Sequence, residues 1–223
     1  MALDWTNVTT LVWDLDGTLV DSAEDITTAV NLVLTDSNLH TLTVANVRQM
    51  IGNGAAKLLD RAFEAVNGTQ GYDREAAYQR FLTHYRKHCC AKTACYPGIA
   101  NVVSSCANMG IRQGVCTNKP HCMAELILSH LQLRSCFLSV IGGDSTDFRK
   151  PHPQPLLTCM EQLDANAGHT LMIGDSAADV GVARAAGVAV ALLPWGYTTT
   201  PPEDLGADEI IEDAAALLQA LPV

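Results

Sequence analysis

The chain is poor in aromatic residues (5%), poor in charge (17%) and poorest in positive charge, with 14 Lys and Arg against 24 Asp and Glu and a net charge of −10. A chain so short of cations offers little to a phosphate backbone, which argues against nucleic-acid binding as its task. No apolar run approaches the roughly 18 residues that span a bilayer. Residues 1–10 lack the basic segment and apolar stretch of an export signal. A soluble, cytoplasmic protein is therefore expected. In that setting the Asn-x-Thr triplets at Asn7 and Asn67 carry no glycosylation meaning, and the eight cysteines are expected to be reduced, mostly buried thiols. The cluster His84, His88, Cys89, Cys90 and Cys95 lacks the C-x-x-C spacing of a structural zinc site, and adjacent cysteines on a helix point in different directions.

What is there is apolar material, 48% of 223 residues, enough for one large domain or a core with a smaller satellite. Short apolar runs at 11–15, 111–116, 137–141, 171–173 and 188–193 alternate with amphipathic stretches at 99–109, 121–131, 154–163 and 177–186. Continuous apolar strands separated by helices predict an α/β fold whose parallel sheet is covered on both faces. Residues 22–88 break the alternation with helical patterns alone. Ser22 followed by Asp25 reads as a capping box, with Ile26, Val30 and Leu34 on one stripe. Val44, Val47 and Ile51 mark a second helix stopped at Gly52, and two more follow through Leu58, Leu59, Ala62 and Phe63 and through Tyr78, Phe81, Leu82 and Tyr85. A four-helix insertion is expected, returning to the sheet near Pro97 and Gly98.

The most informative stretch is Trp13-Asp14-Leu15-Asp16-Gly17-Thr18-Leu19-Val20-Asp21-Ser22. Residues two apart on a strand share a face, so Asp14 and Asp16 leave the carboxyl end of the first strand together, at the edge where open α/β sheets bind ligands. Gly17 permits a sharp turn that brings amides near an anion. Neighbouring carboxylates oppose each other's ionisation, so one can attack while the other carries a proton.

That stretch resembles the first signature of the haloacid dehalogenase superfamily. Val115-Cys116-Thr117-Asn118-Lys119, Lys150-Pro151-His152-Pro153 and Gly174-Asp175-Ser176-Ala177-Ala178-Asp179 resemble the other three, in order. The resemblance implies a Rossmann-like core over 1–18 and 93–223 and an inserted helical cap over 19–92. It implies that Asp14 attacks phosphorus, that Asp16 is acid and then base, and that Gly17, Thr117, Asn118 and Lys150 hold the phosphoryl group, Lys150 also taking part in catalysis. It further implies Mg²⁺ bound by Asp14, Asp175 and the carbonyl of Asp16, with Asp179 holding either the metal's water shell or Lys150. Charge counting points the same way. Four carboxylates and one lysine sum to about −3, and a phosphate dianion adds about −2, so a divalent cation is needed; oxygen donors suit Mg²⁺.

The dehalogenase and phosphonate-cleaving branches lack an acid at the position of Asp16, which favours phosphate ester chemistry. Thr18 leans towards hydrolysis rather than phosphomutase activity. Ile51-Gly52-Asn53-Gly54-Ala55-Ala56-Lys57-Leu58-Leu59 looks like the cap loop of bacterial phosphoglycolate phosphatases, which makes Gly52, Asn53, Gly54 and Lys57 the expected specificity residues. Hinges are expected near 19–22 and 94–98. The expected activity is a Mg²⁺-dependent phosphomonoesterase acting on a small phosphorylated acid such as 2-phosphoglycolate, with the chain a monomer or homodimer. Competing readings are a broad sugar-phosphate or pyrophosphate phosphatase, a β-phosphoglucomutase-like enzyme, and a binding protein without catalysis.

Overall fold

The computed structural model describes residues 3–221. Strand β1 (Thr10–Trp13) is followed by a short β2 (Val20–Asp21) and four helices, α1 (Ala23–Asp36), α2 (Val44–Arg48), α3 (Ala55–Ala65) and α4 (Arg74–His88). The chain returns through β3 (Ala94–Cys95) into α5 (Ile99–Asn108), β4 (Arg112–Cys116), α6 (His121–His130) and β5 (Ser139–Ile141). It then runs through α7 (Gln154–Gln162), β6 (Thr170–Gly174), α8 (Ala177–Ala186), β7 (Ala189–Leu192), β8 (Glu209–Ile210) and α9 (Ala214–Ala220).

Six of the strands form one parallel sheet in the order β5-β4-β1-β6-β7-β8, the Rossmann-like α/β arrangement expected. Strands β1, β6 and β7 read as nearly unbroken apolar runs because each face is covered, whereas β4 begins with Arg112 and Gln113. Leu11, Trp13, Leu171 and Ile173 pack with Val103, Ile127 and Leu217 on one side, while Val12, Met172 and Val190 pack with Leu156, Met160 and Val182 on the other. The first cluster continues through Leu15, Leu19 and Ile26 to Phe63 and Phe81 of the inserted helices. From β1 the chain builds outward to β4 and β5, then crosses back to β6 on the other side. The carboxyl ends of β1 and β6 thus border the crevice where the winding direction reverses, the usual ligand position in such sheets.

The inserted helices leave and rejoin the core through an antiparallel ribbon in which Val20 faces Cys95 and Asp21 faces Ala94. Neither ribbon strand was expected, since two residues carry no periodic signal; the same holds for β8. Two other expectations need correcting. The second inserted helix ends at Arg48 rather than at Gly52, its start fixed by reciprocal Thr43–Asn46 capping, and Ile51 lies in the following loop. Ser22 and Asp25 form no capping box. The Ser22 hydroxyl donates to Asp16 at 2.5 Å, and the buried Asp25 carboxylate accepts from the Lys92 and Thr93 amides and the Thr93 hydroxyl at 2.7–3.0 Å. Asp25 thereby ties α1 to the returning chain, a stronger use of a buried acid than a cap. Gly98 has φ +82°, and a Cβ there would lie 2.8 Å from Ala214, so proline in this turn into α5 would break the local backbone.

All eight cysteines are free thiols. Among the described residues, no helix is long and apolar enough to cross a membrane.

Candidate active site

Three adjacent strands, β4, β1 and β6, deliver the site. Asp14 is the first residue after β1, Thr117 the first after β4 and Asp175 the first after β6. Lys150 arrives in the loop between β5 and α7, and Asp179 sits in the first turn of α8. The five residues are separated by up to 165 positions, yet all are at least 93% buried.

Lys150 is the hub. Its Nζ lies 2.9 Å from the Asp14 carboxylate and 2.6 Å from that of Asp179, with only 1% of the side chain exposed. Asp179 directs its second oxygen to the hydroxyl and amide of Ser176 and the amide of Asp175, closing a capping box that starts α8. Its carboxylate thus fixes the lysine on one side and the helix on the other. Asp175 is held by the Thr18 hydroxyl at 3.1 Å and the Tyr197 amide at 2.8 Å, so Thr18, fully buried, acts on this carboxylate. Glycines make the crowding possible. At Gly17, with φ +89°, a Cβ would fall 2.5 Å from the Asp175 carboxylate, and at Gly196 the clash would be closer still.

Burial drives the electrostatics. The Asp14 carboxyl is pushed up to about 6 by desolvation, which Lys150 opposes and Asp179 reinforces. Asp175 is driven well above the usual carboxylate range by burial, then by Asp179 and Asp14. Burial alone would lower Lys150, but Asp14 and Asp179 outweigh it and raise its pKa. Oxygens of Asp14, Asp175 and Asp179 lie within 4.8 Å of one another. Three carboxylates around one ammonium leave about −2 when all are ionised, in a place nearly without solvent. This oxygen-only cluster fits a hard divalent cation. Asp179 accepts from Lys150 on one oxygen and from three donors of Asp175 and Ser176 on the other, whereas Asp14 and Asp175 accept from two donors each, so Asp14 and Asp175 keep more lone-pair capacity for a metal.

The sign of the pH dependence follows. Between about pH 4 and pH 6 the folded Asp14 carboxyl holds a proton that the unfolded chain has released, so this group's contribution to stability falls as pH rises through that window. A cation held by the cluster favours the ionised forms. Magnesium is therefore expected to raise the melting temperature more at pH 7 than at pH 5. A shift of equal size at both values in a thermal melt would contradict this.

Asp16 faces the same crevice but has its own cation. Lys119 Nζ contacts both of its carboxylate oxygens at 2.8 and 2.9 Å, and Ser22 donates to it as well. Sequence reasoning quoted Lys119 within a motif and gave it no role; the pairing spans 103 positions, so no local pattern reports it. Counting Lys119 also revises the charge balance from about −3 to about −2. Asn118 spends its side-chain amide on the backbone: it accepts from the Lys150 amide and donates to the carbonyls of Lys150 and Gly52. That last bond joins the loop before α3 to the core.

Two cavities meet at Asp14 and Asp16. One runs under the inserted helices and is lined by Ile51, Gly52, Gly54 and Thr117 among others; the second runs past Asp175 and Ser176 and is rimmed by Gly52, Asn53 and Arg61. Gly52, Asn53 and Gly54 thus come to the site. Lys57 is exposed in the first turn of α3 and lines neither cavity; Arg61, one turn on, lines the second. Tyr197 also had no firm expectation. Its hydroxyl accepts from the Ser22 amide and lies 2.8 Å from the Asp21 carboxylate, which pairs with Arg48 of α2 at 2.6 Å. One residue therefore touches both Asp175 and the ribbon that carries the inserted helices.

Known proteins resemble this chain in sequence and fold. The family described as haloacid dehalogenase-like hydrolase matches residues 11–193. A phosphoglycolate phosphatase of Rhodospirillum rubrum is 40% identical over 212 residues, covering 93% of this chain and 88% of its own. The Agrobacterium fabrum protein of the same name is 35% identical over 212 residues, covering 94% and 91%. A crystal structure of a predicted phosphoglycolate phosphatase from Haemophilus somnus superposes with a TM-score of 0.90 at 30% identity, covering 96% of this chain and 98% of that one. The chain belongs to the haloacid dehalogenase-like hydrolase family and is a phosphatase within it.

Proposed function

We propose that the chain is a Mg²⁺-dependent phosphomonoesterase that hydrolyses 2-phosphoglycolate through a phosphorylated Asp14. The observation that carries this is the buried convergence of Asp14, Asp175 and Asp179 on Lys150, with Asp16 two residues beyond Asp14 in the same crevice. The relatives named phosphoglycolate phosphatase support the choice of substrate. The division into a core of 1–18 and 93–223 and a cap of 19–92 belongs to the same reading.

Asp14 attacks phosphorus in line with the ester oxygen; the new O–P bond forms as the ester P–O bond breaks. Asp16 gives its proton to the departing alkoxide, then removes a proton from the water that attacks the phosphorylated Asp14, restoring both acids. The Thr117 hydroxyl donates to a phosphoryl oxygen, and Lys150 balances charge on Asp14 and the phosphoryl group; the Gly17 amide, expected to share this task, is instead spent on the Val20 carbonyl at 2.9 Å. Asn118 acts by position, holding the backbone of Lys150 and the Gly52 carbonyl of the cap. The Asp14 and Asp175 carboxylates and the Asp16 carbonyl would hold magnesium, which when bound would supply the positive charge that lets a phosphate dianion approach this acidic site.

A phosphate-release screen over some tens of phosphoesters tests the assignment. It is expected to place 2-phosphoglycolate first by kcat/KM, with release abolished by EDTA. Another preferred ester would displace the substrate and keep the class. Conversion of β-glucose 1-phosphate to glucose 6-phosphate without free phosphate would replace hydrolysis by mutase chemistry.

A further inference from the structure

We propose that Lys119 and the Tyr85 hydroxyl form the seat for a carboxylate on the organic end of the substrate, making Lys119 the specificity-determining cation of the site. The proposal rests on the phosphomonoesterase reading above and adds the residues that choose among esters.

Lys119 is as buried as a catalytic lysine, with 3% of its side chain exposed, although chain ends and surfaces are where lysines usually lie. Its ammonium sits between the two oxygens of Asp16, the Tyr85 hydroxyl at 2.7 Å and the Tyr85 ring face at 4.6 Å. Tyr85 comes from α4, within the inserted helices, so the pair spans the boundary between core and cap. Its phenol accepts from Lys119, and among the described residues its own proton has no acceptor. A buried donor left open costs free energy until a ligand accepts it.

The neighbouring cavity explains what that ligand is. Asp14, Asp16 and Thr117 form its reacting end, and Ile26, Leu58 and Phe81 form its far wall. Lys119 is the only cationic residue among those lining it. The cavity measures about 40 Å³ and opens at Asp14 and Asp16 onto the second, of about 220 Å³. The apolar wall leaves sugar hydroxyls without partners, a strong source of rejection. Lys150, paired with Asp14 and Asp179, does not line this cavity, and Arg61 lines the other one. Among the residues lining it, a second negative charge on the substrate therefore has one cation to meet. The three Lys119 protons already reach Asp16 and Tyr85, so a carboxylate replaces one Asp16 oxygen as their acceptor and takes the Tyr85 hydroxyl proton on its other oxygen, two charge-assisted bonds in a nearly dry pocket.

The test compares 2-phosphoglycolate with ethyl phosphate, an ester of the same length without the carboxylate, in the wild-type enzyme, Lys119→Met and Tyr85→Phe. The ratio of kcat/KM for the two esters is expected to fall about thirtyfold or more in Lys119→Met and several-fold in Tyr85→Phe, with the larger part of the change in KM for 2-phosphoglycolate. Equal losses on both esters would overturn the proposal, leaving Lys119 as a support for Asp16 alone. If wild-type protein turned over neither ester, the phosphomonoesterase reading would fail, and calorimetric binding of glycolate would then judge the seat by itself. At least tenfold weaker binding in both variants is expected, and unchanged binding would overturn it. Tyr85→Phe keeps the ring and the packing, so it decides the matter should Lys119→Met not fold.

Discussion

Asp14→Asn is expected to lower phosphate release by about four orders of magnitude or more while leaving the fold at least as stable as before. The two halves of that result come from one fact. The Asp14 carboxylate is nearly buried beside two further acids, and desolvation raises its pKa to about 6. Keeping it ionised at neutral pH costs free energy that the chemistry requires and the fold does not. Asparagine has the same shape, removes the charge, and leaves Lys150 paired with Asp179 at 2.6 Å. The melting temperature of the metal-free variant at pH 7.5 should be unchanged or higher. Residual turnover above about one part in a hundred, measured on well-folded protein, would mean that another group attacks phosphorus.

Lys150→Met is expected to damage both activity and stability. It removes the one cation that touches both Asp14 and Asp179, so two buried carboxylates face each other across an apolar side chain. Breaking a buried pair from one side costs about 3–5 kcal/mol, and losing a charge aimed at the phosphoryl group costs about a thousandfold in turnover. The contrast with Asp14→Asn is the informative part. Removing an acid from the cluster relieves repulsion; removing the base from it exposes that repulsion. Magnesium should recover part of the lost stability and little of the lost turnover. An unchanged denaturation midpoint would show that Lys150 does not offset the buried charges.

Much of this was legible in the chain because the relevant signals are local. Asp14 and Asp16 follow an apolar strand, Asp175 and Asp179 open a helix, and β1, β6 and β7 are nearly unbroken apolar runs, so period and punctuation place them. The contacts that escaped are those between distant segments. Lys119 reaches Asp16 across 103 positions and Tyr85 across 34, and Tyr197 reaches Asp21 across 176. Ser22 and Asp25 show why a local pattern can mislead. Their spacing matches a capping box, but each side chain meets a better partner supplied by the fold, Asp16 for one and the 92–93 backbone for the other. The ribbon strands and β8 span two residues each, too few for any period to register. Gly98 belongs to the same class, since its positive φ is set by the turn into α5 and by Ala214 from the far end of the chain.

Covalent transfer to position 14 is the claim on which the rest depends. The direct measurement is a rapid acid quench during turnover of phosphoryl-labelled 2-phosphoglycolate, followed by peptide mapping. Label on the peptide carrying Asp14, formed and lost at rates compatible with kcat and absent from Asp14→Asn, is the predicted result. Full turnover by the wild-type enzyme with no label on that peptide at any quench time would contradict it.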